Sequence, residues 1–232
     1  MKKITISFVL LFTAIFFFAC SDDSSDSTAD STGDYWPTSV GNNWVYTKDG
    51  TDASAKIIGV QEINATKYYE FNQLPIFRTG IFNDGTTLFI KKNKGDYYIK
   101  ADEINKTYEG VTTKITAYEF PFFKDYLDVN QTWGGTYTFI ETRSSSDPLV
   151  METEVTYTGE ILEKGVSLTV NGIVFKDVVR FRFSQMIDNK YDAWPTWDYT
   201  ADYWIAKDVG IIKFSNDDNI GEYKSHVIKS QD

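Results

Sequence analysis

The chain reads as an all-β protein: a single antiparallel meander of about a dozen strands, in a strongly curved sheet or partly closed barrel, with little helix. Three observations predict this. Aromatic residues make up 16 % of the sequence, and Val, Ile and Thr are abundant beside them; both types fit a pleated surface. Apolar residues alternate at period two in short runs. Turn-forming residues punctuate those runs at close intervals. A meander of this length limits its exposed edges by curving or closing.

In chain order the runs are Trp44 and Tyr46, Ile58 and Val60, Tyr69 and Phe71, then Tyr97, Ile99 and Ala101. Val155 with Tyr157 follows, and then Val179, Phe181 and Phe183. Turns are marked at Asp49-Gly50, Asn83-Asp84-Gly85, Lys94-Gly95-Asp96 and Asn171-Gly172. The Asn171-Gly172 pair is the cleanest, because a two-residue hairpin loop needs positive φ at both positions and these residues tolerate it best. VSLTV before it and IVFKDVVRFRF after it complete a hairpin. Helical periodicity is missing, and only PFFKDYLD at 121–128 accommodates a helical turn or two. Val40-Gly41-Asn42-Asn43-Trp44 and Val129-Asn130-Gln131-Thr132-Trp133 echo each other, each with a Val, three turn formers and a strand-opening Trp. Two half-sheets of related design would produce that echo; so would coincidence.

The N-terminus has its own organisation. Met1-Lys2-Lys3 is a positive start, residues 4–18 (ITISFVLLFTAIFFF) are apolar, and Ala19 precedes Cys20, the one cysteine of the chain. The apolar run is at the upper end of the length of a signal-peptide core. It falls short of the roughly 18–20 apolar residues of a membrane span and is interrupted by Thr5, Ser7 and Thr13. An ordinary secretory signal ends in a small-x-small pattern, where this chain has Phe17. The junction resembles that of bacterial lipoproteins, although Phe17 and Phe18 stand where their lipobox usually has Leu and then Ala or Ser. The resemblance implies cleavage after residue 19, lipidation of Cys20, and membrane anchoring through its acyl chains at the outer membrane, with surface exposure as one arrangement. It divides the chain into a signal peptide at 1–19, a lipidated linker at 20–34 and one β-rich domain at 35–232.

Removing residues 1–19 takes away Lys2 and Lys3 and no acid, leaving 21 Lys and Arg against 33 Asp and Glu, a net charge of −12. No basic footprint for nucleic acid exists on such a chain. With Cys20 lipidated, no thiol remains for disulfides, zinc or nucleophilic chemistry. About 200 residues suffice for one core. Residues 21–34 hold five Asp, five Ser, two Thr, one Ala and one Gly; such a stretch lacks the apolar surface to offset its ordering entropy and reads as a flexible spacer. Asp22-Asp23 also resembles the acidic export signals of surface lipoproteins, and Asp26-Ser27-Thr28 and Asp30-Ser31-Thr32 resemble an O-glycosylation acceptor motif of some Gram-negative bacteria.

Three further stretches carry a wider resemblance. YWPTSVGNNWVY at 35–46, NGIVFKDVVRFRF at 171–183 and YWIAKDVGIIKF at 203–214 resemble, in order, the opening, hairpin and closing motifs of a family of uncharacterised envelope lipoproteins. Asn171-Gly172 replaces their Ala-Gly, with one residue extra before Phe175. The resemblance implies an antiparallel β-rich domain, and some such proteins are similar to half-barrel carriers that cup an acyl chain. It brings no activity and no functional residues. Gly41 and Gly210 suit turns or close backbone approach; Trp44, Phe175 and Tyr203 suit core anchors.

No catalytic constellation is present. His226 is the sole histidine and reads as an incidental strand residue. Asp102-Glu103 and Asp217-Asp218 are adjacent pairs, which on a strand point to opposite faces. SNDDNIGE at 215–222 is oxygen-rich but lacks the alternate-position spacing of a calcium loop; it reads as a hairpin turn. No metal, cofactor or enzymatic activity is therefore expected. The segment at 191–204 brings Trp194, Trp197, Tyr199, Tyr203 and Trp204 together with Asp192, Asp198 and Asp202. Exposed, these rings would form a sugar-binding platform; buried, they would plug one end of the core. The sequence thus supports a non-enzymatic binding or carrier module for a lipophilic or small ligand. The alternative is a surface glycan-binding or adhesion protein using those five residues. Oligomeric state is not legible.

Overall fold

Every regular element among the described residues is a strand. The computed structural model describes residues 29–48, 50–75, 86–144, 147–189, 196–216 and 219–227. The strands are β1 (Asn43–Lys48), β2 (Thr51–Ile63), β3 (Thr66–Phe71), β4 (Leu88–Asn93), β5 (Asp96–Ala101), β6 (Ile104–Tyr108) and β7 (Val111–Ile115). They continue as β8 (Tyr118–Lys124), β9 (Thr132–Ser144), β10 (Leu149–Val170), β11 (Ile173–Asn189), β12 (Trp197–Ala206), β13 (Gly210–Asn216) and β14 (Asn219–Val227). All fourteen form one antiparallel sheet in the order β6-β7-β9-β10-β11-β12-β13-β14-β1-β2-β3-β4-β5-β8.

The meander is therefore split and rejoined. β9 to β14 run in sequence, β14 pairs with β1, and β1 to β5 continue the sheet. Two elements leave the sequential order: β8 caps one end beside β5, while the β6–β7 hairpin caps the other beside β9. The ladder does not close, yet its ends meet through side chains. Tyr118 and Phe120 of β8 stack on Tyr137 of β9 at 5.1 and 5.0 Å. The Trp133 indole donates a hydrogen bond to the Pro121 carbonyl at 3.2 Å. An end strand that touches β9 requires the sheet between them to roll up.

The helical turn allowed at 121–128 is a strand through Lys124 instead. The reason is burial. A bulge beside Tyr97 and Tyr98 leaves Phe122 as an extra residue on β8, so Phe120, Phe122 and Phe123 all bury. Pro121 is tolerated because β8 is an edge strand. Phe122 meets Phe181, Phe183 and Tyr203 edge-on at 5.3, 5.2 and 4.9 Å, a favoured ring geometry. Trp36, Trp44, Phe71 and Tyr97 extend this interior cluster.

The Asn171-Gly172 hairpin forms as expected, with φ of 48° and 79°. Its strands are long and bent by three register shifts between Ile161 and Leu168. The tip reaches β14, where Phe175 meets Tyr223 edge-on at 5.2 Å and Asn171 donates to the Tyr223 carbonyl at 2.8 Å. Val170, Val178, Ala206 and Ile212 make this a second, smaller core. The turn at Lys94-Gly95 also forms, with Lys94 at φ 54°. Asn64-Ala65 makes a turn that lacks the expected glycine, with φ of 51° and 61°. Asn83-Asp84-Gly85 lies outside the described residues.

The pentapeptide echo is structural. Gly41 N–H donates to the Ile57 carbonyl, Asn42 N–H to Ser39, and Ile57 N–H to Asn42. Asn130, Gln131 and Ile161 repeat the pattern: Asn130 N–H to Ile161, Gln131 N–H to Asp128, and Ile161 N–H to Gln131. Gly41 and Asn130 have positive φ, 94° and 68°. Each motif then launches a buried Trp, Trp44 and Trp133. The five shared positions thus encode one local design used twice.

Phe122→Ala removes a ring with no exposed surface from the junction of β8, β11 and β12, and should cost about 3–5 kcal/mol. Urea unfolding would show it as a lowered midpoint with little change in slope.

Candidate functional site

The aromatic segment singled out at 191–204 divides. Trp194 lies outside the described residues, and the structure gives no side-chain placement for Trp197. Tyr199 and Tyr203 are core residues, 3 % and 0 % exposed, with their hydroxyls 3.0 Å apart. Burial raises the Tyr203 hydroxyl pKa well above its ordinary value, as do Tyr199's charge and hydrogen bond. Trp204 is half-buried on the convex face, with the Arg180 guanidinium and the Lys213 ammonium over its ring at 5.0 and 5.5 Å. These three described rings are structural: two fill the interior and one underlies an ion-pair ladder.

That ladder centres on Asp202. It accepts from Arg182 Nε at 2.8 Å and Arg180 Nη2 at 2.6 Å, and Arg180 also reaches Glu163 at 2.9 Å. Burial alone would raise the Asp202 carboxyl pKa, but the hydrogen bonds from Arg182 and Arg180 outweigh it and hold it below the ordinary value. His226, on β14 opposite Trp44, is hydrogen-bonded through Nδ1 to the Tyr223 hydroxyl, and burial lowers its pKa. Among the described residues no group of three or more His, Cys, Asp or Glu could hold a metal ion.

A different place carries the geometry of a site. On β3 the inner face runs Phe71, Tyr69, Lys67, and on β4 it runs Leu88, Ile90, Lys92. Successive same-face residues are two apart, so the apolar lining of the roll gives way to two lysines at one end. There a cleft of about 930 Å³ opens. Its walls include Lys67, Tyr69, Lys92, Asn93 and Thr38, with residues 31–34 along one side. Lys91 and Lys94 also line it, committed to Glu119 and to Asp30 respectively.

The strand-free segment beside the cleft is clipped in place. The chain is described from Ala29, six residues before Tyr35, where the domain was expected to begin. Asp125, 1 % exposed, accepts the Ser31 hydroxyl at 2.5 Å and the Thr32 N–H at 2.9 Å. The Thr32 hydroxyl donates to the Asp125 carbonyl at 3.0 Å. The Tyr97 hydroxyl accepts from Tyr35 N–H at 2.9 Å and donates to the Gly33 carbonyl at 3.0 Å. Asp34 then forms an ion pair with Lys92. The hydroxyls of the Asp30-Ser31-Thr32 triplet thus hold this strap to the domain. Cys20, Asp22-Asp23 and the triplet at 26–28 lie outside the described residues.

Sequence reasoning missed this cleft. Its signal was present in the alternation: Lys67 shares the parity of Tyr69 and Phe71, and Lys92 that of Ile90 and Leu88.

Two measurements test these assignments. Asp125→Ala should raise hydrogen exchange at Thr32 and Tyr35 by about tenfold or more, since hydrogen bonds to a charged group each contribute about 1.5–3 kcal/mol, while amides of β11 stay protected. For Asp202 the sign follows from a depressed carboxyl pKa: its stabilisation is present above the unfolded value of about 3.9 and is lost as pH falls through the folded one. Asp202→Asn should therefore lower stability at neutral pH and flatten its decline in acid, as followed by urea midpoints between about pH 2 and pH 7.

No family model and no curated protein matches the chain. A solved structure of similar shape is that of a "putative lipoprotein" from Parabacteroides distasonis ATCC 8503, at a TM-score of 0.48 and 12 % identity, covering 86 % of this chain and 100 % of that one.

Proposed function

We propose that the protein is a cell-envelope lipoprotein, anchored to the outer membrane through lipidated Cys20, whose β-domain is a non-enzymatic binding module. Its ligand sits at the open end of the roll. The observation that carries this reading is the change of lining along β3 and β4, from Phe71, Tyr69, Leu88 and Ile90 to Lys67 and Lys92. The interior where a half-barrel carrier would cup an acyl chain holds Phe120, Phe122, Phe181 and Phe183 in mutual contact instead. A cleft of about 930 Å³ matches the size of a small-molecule site, and its polar walls favour a small polar or amphiphilic ligand over a wholly apolar one.

The anchor supports the location. A positive start, an apolar run of residues 4–18, Ala19 and a lone cysteine stand in the order that lipidation requires. More than one acyl chain gives stable attachment.

Two experiments test the two halves separately. Mass spectrometry of the membrane-fraction protein should find a chain beginning at Cys20 with added acyl mass, and Cys20→Ser should leave an uncleaved precursor; an unmodified cysteine overturns the anchor. Native mass spectrometry of residues 20–232 carrying Cys20→Ser, incubated with an envelope extract, should retain about one ligand per chain. A bare mass, under conditions that keep a known carrier loaded, overturns the binding module.

A further inference from the structure

We propose that the open end of the roll is an anion site in which Lys67 and Lys92 clamp a phosphate-bearing group, at the place where Asp34 now supplies the negative charge. This rests on the reading of the cleft as the ligand site and names its ligand chemistry.

The register carries the argument. Tyr69 of β3 pairs with Ile90 of β4, and Lys67 and Lys92 lie two residues further along each strand, on the same inner face. Two ammonium groups on one face of neighbouring strands repel each other, and the arrangement invites an anion between them. Asp34 of the strap pairs with Lys92, which Asp125 also attracts, and Glu62 stands opposite the exposed Lys67 in the β2–β3 register. Among the described residues Lys67 makes no ion pair. Burial lowers the Lys92 pKa, with Asp34 working against it, so this charge is partly withdrawn from water, where ion pairing is stronger.

Charge distribution points the same way. The whole chain carries −10, yet four lysines line this cleft; Glu119, Asp34 and Asp30 pair with three of them, and Lys67 leaves it with one net positive charge. A cationic cleft in an acidic protein focuses anions where the rest of the surface repels them. Asn93, Thr38 and Thr66 add polar groups to the walls, and Tyr69 an apolar surface. At about 930 Å³ the cleft exceeds bare phosphate and has room for a head group.

The source of the phosphate is either a lipid head group or a soluble phosphorylated ligand. The part of the strap that lines the cleft begins at Ser31, eleven residues after Cys20, a tether of at most roughly 40 Å. A lipidated Cys20 therefore keeps this end of the domain within reach of its own membrane.

The test uses residues 20–232 with Cys20→Ser, titrated with inorganic phosphate and followed by amide shifts. Saturable shifts at Lys67, Tyr69 and Asn93 are expected. Lys67→Ala should weaken binding about tenfold, the loss of one charge-assisted hydrogen bond. Asp34→Asn should tighten it several-fold by freeing Lys92. The double variant Lys92→Met with Asp34→Asn removes the pair together and so preserves the fold, and it should weaken binding like Lys67→Ala. Co-sedimentation with vesicles of phosphatidylglycerol and phosphatidylcholine, against phosphatidylcholine alone, then separates the sources: retention by the anionic vesicles assigns a lipid head group, and phosphate binding without retention assigns a soluble ligand. Absence of saturable phosphate binding, or binding indifferent to Lys67→Ala, overturns the proposal. An unlipidated Cys20 would remove the tether argument and leave the phosphate titration unaffected.

Discussion

Three side chains of one edge strand hold this fold in its rolled form. Phe120, Phe122 and Phe123 of β8 turn inward together because a bulge beside Tyr97 and Tyr98 breaks the alternation, and they meet Tyr137, Tyr157, Phe181, Phe183 and Tyr203 from the far half of the sheet. Backbone hydrogen bonds cannot do this work, since β8 is paired on one side only. A flat sheet of fourteen strands would leave the inner face open to water; the ring cluster makes curvature favourable by burying both halves against each other. Filling the roll with rings leaves its open end as the place for a cleft.

Period two in the sequence identifies the buried face of most of these strands; on β2 it failed, because a register shift between Ile57 and Gly59 buries Ile57 and leaves Ile58 and Val60 exposed. Trp44, Tyr46, Phe71, Ile99, Tyr157, Phe181 and Phe183 all fall on the inner face as their alternation requires. The turn at Asn171-Gly172 was equally legible because few residue pairs accept positive φ twice in succession. Neighbour choice was not legible. Alternation says nothing about which strand lies alongside, so the pairing of β14 with β1 and of β8 with β5 comes only from three-dimensional packing. The helical turn expected near Phe122 failed for a related reason. Phe122-Phe123 looks like a break in period two, and a bulge produces the same break without leaving the sheet.

The two pentapeptides show how little sequence a local design needs. Gly41 and Asn130 share no side-chain chemistry, yet both adopt positive φ and both donate to an isoleucine carbonyl on the strand after next to be formed, Ile57 and Ile161. What is kept is backbone permissiveness at one position and an indole at another. Trp44 donates to the Val209 carbonyl at 2.6 Å and Trp133 to that of Pro121 at 3.2 Å. Each indole therefore ties the start of its half to a segment from elsewhere in the sheet, with its N–H satisfied inside the core as burial demands.

The aromatic segment and the lysine cleft invert what composition alone suggests. A crowd of rings at 197–204 attracts a binding hypothesis, but Tyr199 and Tyr203 point along the buried parity of β12 and belong to the plug. Lys67 and Lys92 look like ordinary surface charges in sequence, and they gain meaning only from sharing a face with Tyr69 and Ile90. Lys92, at the end of an apolar inner face, gives up part of its hydration and gains an ion pair with Asp34, while Lys67 stays exposed. The two line one cleft, with Lys92 held by a carboxylate from a strap that Asp125 and Tyr97 keep in place, and this is the arrangement on which the proposed anion site rests. The strap then has two roles in one segment: it joins the domain to the residues that follow Cys20, and it holds the Asp34 carboxylate beside Lys92.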